Sequence, residues 1–539
     1  MNNVYTEYED YMKLSCNHLD NVIDTKRALY TVLSNFIENN RYGCIAVGGL
    51  RRVGKTTVLK QLAQKFDKAL YISFAQLRSL EQQECLLSVL KEKVKNHEII
   101  ALLLDEVTKL YYYDDVIPEL LELTQAYKAS LIITSSSMHY LRVLTKRTCG
   151  SRCTYLELPQ ISYYEYLYFK RDKDIVKRRY FVKYSSREED MREFLEKTQN
   201  LNPGKETFSG YVNYCASNNF ANNLHDYISG CYEDFILSER AYAISTLDIP
   251  EDFDMTIVTK LLCVSQYTLM QQFNKKKSLI ESTVEYRKER QQLKKEVGYQ
   301  NFAEIISKAE TTLQQYVRDL NKATREEISL ALSILVCCGL VFIHRDVQST
   351  NDVKYIKEDM RYLKNGNFYD TMDKMITYPM YAADINIYIL ILKELLFEIG
   401  LDSSDVAKYI ENPLFGLFIE FYVTSQVSVL NKTGYVLKLV LPDYFEYASE
   451  IDVVSKEVGA LIEVGVGSRG KSFDMLAFND PAFEGLYSEF KDYDKLFISA
   501  NDLHKHKNFL EVPYWLFIML VDANSISQYV RSLGYTENT

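Results

Sequence analysis

Residues 48–57 read Gly-Gly-Leu-Arg-Arg-Val-Gly-Lys-Thr-Thr. From Gly49 onward the run satisfies G-x-x-x-x-G-K-[ST], a spacing suited to cradling phosphate oxygens. Gly49 and Gly54 allow backbone N–H groups to approach an anion closely, and Arg52, Val53 and Thr57 complete the loop. Lys55 supplies a mobile positive charge to terminal phosphate oxygens, and Thr56 offers a hydroxyl to Mg²⁺. A second chemical group closes the run Ile-Ile-Ala-Leu-Leu-Leu-Asp-Glu-Val at 99–107. Asp105 fits as the holder of a Mg²⁺ water shell, and Glu106 as the base that orients an attacking water. An ordinary strand ending in solvated acids would look the same in isolation. The interval of about 50 residues after Lys55 distinguishes the two, because it leaves room for one strand and one helix.

These groups need particular elements to position them. The apolar run at 44–47 predicts a buried parallel strand before the loop, and 58–66 has helical spacing after it. A strand over 69–75 and a helix over 79–93 fill the interval. A third strand at 130–137 ends in a polar cluster, where Thr134 or Ser135 is placed to sense a γ-phosphate; Ser136 and Ser137 suit a cap for a helix over 138–146. The turn Cys149-Gly150-Ser151-Arg152 precedes a strand-like 154–158. Arg152 is either an arginine finger, acting in cis or toward a neighbouring subunit, or a solvated turn residue.

Taken together, the GLRRVGKTT loop, the LLLDE strand, the IITSSS strand end, the GSR turn and the stretch Leu158-Pro-Gln-Ile-Ser-Tyr-Tyr-Glu-Tyr166 resemble a prokaryotic AAA-type ATPase family. Its archaeal and bacterial members pair this module with a winged helix and a C-terminal domain of unknown function. The family stretch usually has a second leucine where Ile161 stands here. The resemblance is specific over roughly 25–170 and weaker beyond. It implies ATP and Mg²⁺ as cofactors and a capacity to form homo-oligomers.

The bulk properties set outer limits. A chain of 539 residues is too long for one core. A net charge of −10 excludes a uniformly basic nucleic-acid binder but not a local patch. The ten cysteines show no CxxC pairing, which suits a reducing cytosol, and Cys149 and Cys153 read as structural. Residues 1–20 are acidic and polar rather than a signal peptide, and no apolar run is long enough for a membrane span. The 43 tyrosines are unusual and point to no particular chemistry.

Beyond the first module the expectations are coarser. Residues 171–260 read mainly as a helical lid, on which Glu239 and Arg240 are surface charges or site-facing groups. Residues 276–297 read as a solvated charged helix. The end of 300–345 reads as a helix stopped by Gly339 and followed by a strand, the way a winged helix finishes. Glu326 and Glu327 at the start of that helix disfavour phosphate contact, so protein docking is the preferred role. In the last segment, Glu420, Asp452 and Glu463 follow the order of the metal-binding carboxylates in restriction-endonuclease-like nucleases. Gly465 stands where those nucleases carry a lysine, with Lys471 the nearest replacement. An impaired nuclease or a metal-free α/β domain is therefore expected.

The sequence thus predicts an α/β protein: a P-loop parallel sheet over 1–170, a helical lid over 171–260, a winged-helix-like module over 261–350 and a nuclease-like α/β domain over 351–539. The expected function is a cytoplasmic ATP-driven switch acting on a protein or nucleic-acid partner. The alternative is a nucleotide-gated nuclease of a defence or mobile-element system.

Overall fold

The computed structural model describes residues 25–39, 42–76, 79–171, 187–217, 223–242, 249–250, 252–264, 380–382, 385–397, 435–440, 450–455, 459–465, 490 and 492–532, together with most of 311–347 and 419–427. The charged segment 276–297 and Lys471 lie outside these. The chain divides into two compact units, one built mainly from the residues up to 171 together with 229–242, the other from 187–228 and most of the chain from 249 to 522.

The first unit is a five-stranded parallel sheet. Its strands are β1 (Cys44–Gly48), β2 (Ala69–Ser73), β3 (Ala101–Asp105), β4 (Ser130–Ser135) and β5 (Cys153–Glu157), in the spatial order β2-β3-β4-β1-β5. Every residue of β1, β3 and β4 is buried. That accounts for their unbroken apolar character, since a strand covered on both faces has no solvent side to alternate with. Helices α1 (Ala28–Glu38), α2 (Lys55–Lys65), α3 (Leu80–Lys95), α4 (Tyr113–Ala126), α5 (Met138–Leu144) and α6 (Tyr163–Arg171) complete this part of the unit. The strand order is the feature that matters for chemistry. β4 lies between β1 and β3, so the carboxyl ends of all three converge.

The turn from β1 into α2 depends on its glycines. Gly54 caps α2 with φ 98°, a left-handed conformation that side chains disfavour. A Cβ on Gly49 would fall 2.6 Å from the carbonyl oxygen of Leu158, so the loop packs tightly on the chain leaving β5.

The second unit includes helices α7 (Glu188–Thr198), α8 (Lys205–Ser217), α10 (Arg325–Cys337) and α11 (Ile385–Phe397); α9 (Leu224–Tyr242) belongs to the first unit from Ser229 onward, and α12 (Tyr514–Ser532) begins in the second. Its sheet is mixed and eight-stranded, in the order β12-β13-β11-β10-β9-β8-β6-β7. The strands are β6 (Val341–Val347), β7 (Met380–Ala382), β8 (Tyr435–Val440), β9 (Glu450–Ser455), β10 (Ala460–Val464), β11 (Asp494–Ser499), β12 (His504–Lys505) and β13 (Leu510–Pro513). Phe208 and Tyr211 of α8 meet Tyr422 and Tyr514 in a cluster of tilted and edge-on rings, closed by a 3.1 Å hydroxyl contact between Tyr211 and Tyr422. Part of the tyrosine content is therefore core.

Two expected boundaries move. Residues 187–228 of the expected lid group with the second unit and 229–242 with the first, so 171–260 is not one body. The strand after Gly339, β6, pairs with β8 in parallel and β7 antiparallel, which makes it part of the C-terminal sheet and removes a boundary at 350. The helix before it forms as its pattern predicts, and its acids have a local explanation. Thr324 and Glu327 form a reciprocal capping box, with Glu327 accepting the Thr324 N–H at 2.7 Å.

Two outcomes follow from these contacts. Gly49→Ala should cost about 1–3 kcal/mol, read as a lower urea midpoint, because the Leu158 backbone cannot yield as a side-chain tip would. In the second unit Glu511 accepts from Ser499 at 2.7 Å, Asn501 at 2.8 Å and His506 at 2.8 Å. Burial pushes its carboxyl up, but these donors outweigh it and hold it below the usual carboxylate range. Its contribution to stability is thus present above the unfolded value of about 4.3 and lost as pH falls through the lower folded value. Glu511→Gln should flatten the acid limb of a stability–pH curve measured by urea unfolding.

Candidate functional site

The site assembles at the carboxyl ends of β1, β3 and β4. Lys55, 5% exposed at the start of α2, donates through Nζ to the carbonyls of Gly49 at 2.8 Å and Leu50 at 3.0 Å. Its ammonium therefore lies against the carbonyls of the loop that precedes α2. Thr56 follows and donates to Asp105 Oδ2 at 2.7 Å. Asp105 is 1% exposed and accepts two further hydroxyls, Tyr71 at 3.0 Å and Thr134 on Oδ1. A buried carboxylate is tolerated only when its lone pairs are used in this way. Burial and Asp105 together push the Tyr71 hydroxyl well above its usual range, so it remains a donor.

Thr56 and Asp105 meet the donor requirements of Mg²⁺, which takes hard oxygen ligands and is usually held by one or two protein groups plus phosphates and water. Among the described residues no three His, Cys, Asp or Glu gather as a metal cage. A divalent ion here would be completed by the nucleotide and solvent.

Glu106 leaves the strand in a left-handed conformation, φ 56°, and its Oε2 accepts from the Ser136 backbone N–H at 3.1 Å and the Ser136 hydroxyl at 2.8 Å. Burial raises its carboxyl most strongly; Lys55 opposes this, Asp105 and Asp234 add to it, and Lys109 opposes it again. The net direction is upward, which suits a group meant to exchange a proton near neutral pH. Of the two residues read as γ-phosphate sensors, Thr134 donates to Asp105, and the buried Ser135 hydroxyl lies 2.6 Å from that of Thr108.

Several participants carried no sequence signal. Arg27, just ahead of α1, is 6% exposed and joins the loop to the chain after β5. It donates to the carbonyls of Val53 at 2.7 Å, Pro159 at 2.8 Å and Gln160 at 3.0 Å, and to Glu165 at 2.6 and 3.2 Å. Glu165 also accepts from the N–H of Ala28 at 3.0 Å. Lys109 and Asp234 form a second pair at 2.8 Å, and Asp234 lies 3.4 Å from Arg51. Asp234, on α9, is the acid that approaches the site; the side chains of Glu239 and Arg240 lie outside the described ones. Only Glu165 had a trace in the sequence, as the acid of the Ser-Tyr-Tyr-Glu stretch.

Arg152 does not join this group. β5 runs parallel to β1 with Cys153 beside Cys44 and Glu157 beside Gly48, so Arg152 precedes the amino end of the sheet, roughly 15 Å of strand away from the phosphate loop. There it pairs with Glu122 at 3.3 Å, both side chains exposed. The sheet's direction sets Arg152 away from its own phosphate loop, and its exposed pairing with Glu122 fits the solvated turn residue as well as a group facing a neighbouring subunit.

In the second unit Asp452 and Glu463 lie one residue beyond the Val453–Ile462 pair of the antiparallel β9 and β10. Asp452 accepts the Val464 N–H at 2.7 Å. Glu420 does not join them in a metal-type cluster.

With this geometry established, comparison with known proteins gives a class. Residues 41–167 match the family model of an AAA domain, and this part of the chain is an AAA-type P-loop ATPase domain. No curated protein sequence matches the chain. Among solved structures, AMPPCP-bound DnaA from Aquifex aeolicus is similar at 16% identity and TM-score 0.23, covering 47% of this chain and 82% of that one. PCH-2 from C. elegans is similar at 17% identity and TM-score 0.19, covering 26% of this chain, which spans 42% of the PCH-2 chain.

The Arg27–Glu165 pair offers a direct test. Arg27→Met leaves a buried carboxylate and the carbonyls of Val53, Pro159 and Gln160 without their cation, and should cost about 3–5 kcal/mol in urea unfolding. Arg27→Met with Glu165→Gln should lose less than the two single changes summed.

Proposed function

We propose that the chain binds ATP with Mg²⁺ and hydrolyses it as a conformational switch that controls a protein or nucleic-acid interaction. The observation that carries this is the 2.7 Å contact between Thr56 and Asp105, which brings the loop hydroxyl and the strand-end carboxylate to one point beside Lys55. The backbone N–H groups of 49–54 and the Lys55 ammonium bind and orient the phosphates. Thr56 and Asp105 are the residues that would hold Mg²⁺, which when bound would supply positive charge to the phosphates. Tyr71 and Thr134 fix the Asp105 carboxylate by hydrogen bonds. Glu106 accepts the proton of the attacking water and releases it afterwards; Ser136 holds its carboxylate. Arg152 supplies positive charge to the site of a neighbouring copy in a homo-oligomer. Nine free thiols among the described residues fit a cytoplasmic protein, and no described helix is long and apolar enough to cross a membrane.

The nuclease alternative has less support. Asp452 already bonds the backbone within its own sheet, and the three carboxylates do not gather. The winged-helix reading rests on α10 and Gly339 alone, since β6 serves the larger sheet.

The test is ATP turnover by the full chain with and without added DNA. Lys55→Ala should abolish nucleotide binding. Glu106→Gln should retain ATP while turnover falls by about 10² or more. Normal hydrolysis in both variants would sink the assignment. Stimulation by DNA points to a nucleic-acid partner, and indifference to it points to a protein.

A further inference from the structure

An acid stands in this site where phosphate chemistry would favour a base. Asp234 is 4% exposed, and its carboxylate is met from each of the neighbouring segments. Lys109, following β3, reaches Oδ1 at 2.8 Å; Arg51, within the phosphate loop, reaches Oδ2 at 3.4 Å; and the Ser136 hydroxyl, following β4, reaches Oδ2 at 2.6 Å. Arg51 lies against the helix itself, since a Cβ on Gly230 would fall 2.1 Å from its Nη1. The Ser136 hydroxyl is also 2.8 Å from Glu106 Oε2. A hydroxyl has one hydrogen, so it serves one of the two carboxylates at a time.

We propose that Asp234 is a specificity-determining residue: an internal counter-anion that occupies Arg51 and Lys109 and competes with a nucleotide's terminal phosphate for them. This rests on the nucleotide-site reading above. Two cations beside a phosphate loop are the natural partners of the third phosphate, and in this arrangement both are already engaged by one carboxylate. A diphosphate held by the loop N–H groups and Lys55 makes no demand on them. A triphosphate does, and to obtain them it must loosen the hold of Asp234. Ser136 links that exchange to hydrolysis. When Asp234 retreats, the hydroxyl hydrogen is left to Glu106 alone, so the base, held by the Ser136 N–H throughout, gains its second hydrogen bond when the third phosphate is present. Asp234 therefore sets the preference between triphosphate and diphosphate and acts on Glu106 as a positioning residue.

The experiment is a pair of dissociation constants, for Mg²⁺-ADP and for a Mg²⁺-bound non-hydrolysable ATP analogue, measured calorimetrically on the full chain. Asp234→Asn should tighten triphosphate binding about tenfold, the size of one partly buried charge contact, and leave ADP within about twofold. Asp234→Glu should restore the original ratio. In a Lys109→Gln background the gain from Asp234→Asn should shrink, because one of the released cations is gone. An unchanged ratio in Asp234→Asn, or equal weakening of both nucleotides, would overturn the proposal and leave Asp234 a structural ion-pair partner. Should that variant not fold, Gly230→Ala displaces the Arg51 tip from its Asp234 contact: a raised preference for triphosphate supports the proposal, and an unmoved one overturns it. Failure of the unaltered chain to bind either nucleotide would overturn the site reading itself, a different result from a bound nucleotide whose ratio does not move.

Discussion

A carboxylate buried at the end of an apolar strand is costly, and the way this protein satisfies Asp105 organises the rest of its nucleotide site. Three hydroxyls converge on it, from Thr56 at the start of α2, Tyr71 on β2 and Thr134 on β4. No local stretch of chain could supply them. They meet because the strand order β2-β3-β4-β1-β5 sets β2 and β4 on either side of β3 and carries the phosphate loop in on β1. Remove the carboxylate and the buried hydroxyls of Tyr71 and Thr134, with the half-buried one of Thr56, lose their acceptor; remove the order of strands and the carboxylate loses its donors.

Around that core lies a second layer in which charges are balanced across elements. Arg27 and Glu165 clamp the back of the phosphate loop, with the loop carbonyl of Val53 held between α1 and the start of α6. Arg51, Lys109 and Asp234 balance its front, with Ser136 shared between Asp234 and Glu106. The two clusters differ in what they can do. The first is closed, since every contact is saturated within the fold and its charges offer a ligand nothing. The second includes a cation on the phosphate loop itself, so an added anion has something to compete for.

The acids of the second unit follow another logic. Asp452 accepts a backbone N–H across to β10, and Glu511 is held by Ser499, Asn501 and His506. Asp452, a metal-ligand candidate in sequence, thus takes up a backbone N–H at the end of the β9–β10 ladder, whereas Glu511 is satisfied by side chains alone.

The sequence by itself determined the phosphate loop, the acidic strand end and the alternation of strands and helices in the first unit. These are short-range: the glycine positions, the 50-residue interval from Lys55 to Asp105 and the apolar runs are all readable along the chain. It also determined that the helix before Gly339 would form and stop, because capping is local. Tertiary structure decided everything that depends on who meets whom. Thr134 donates to Asp105 because β4 is inserted between β1 and β3, and Arg152 is removed from its own loop because β5 runs parallel to β1. Asp234 is an acid in an unremarkable helix until folding sets it beside Arg51 and Lys109, more than a hundred residues away along the chain. β6, read from its neighbours as the end of a small module, belongs to an eight-stranded sheet whose other strands lie farther on in the chain. The physical reason is common to all four. Backbone conformation and burial period are encoded within a few residues, whereas hydrogen-bond partners and counter-ions are chosen by strand order and helix packing, which no short stretch of sequence contains.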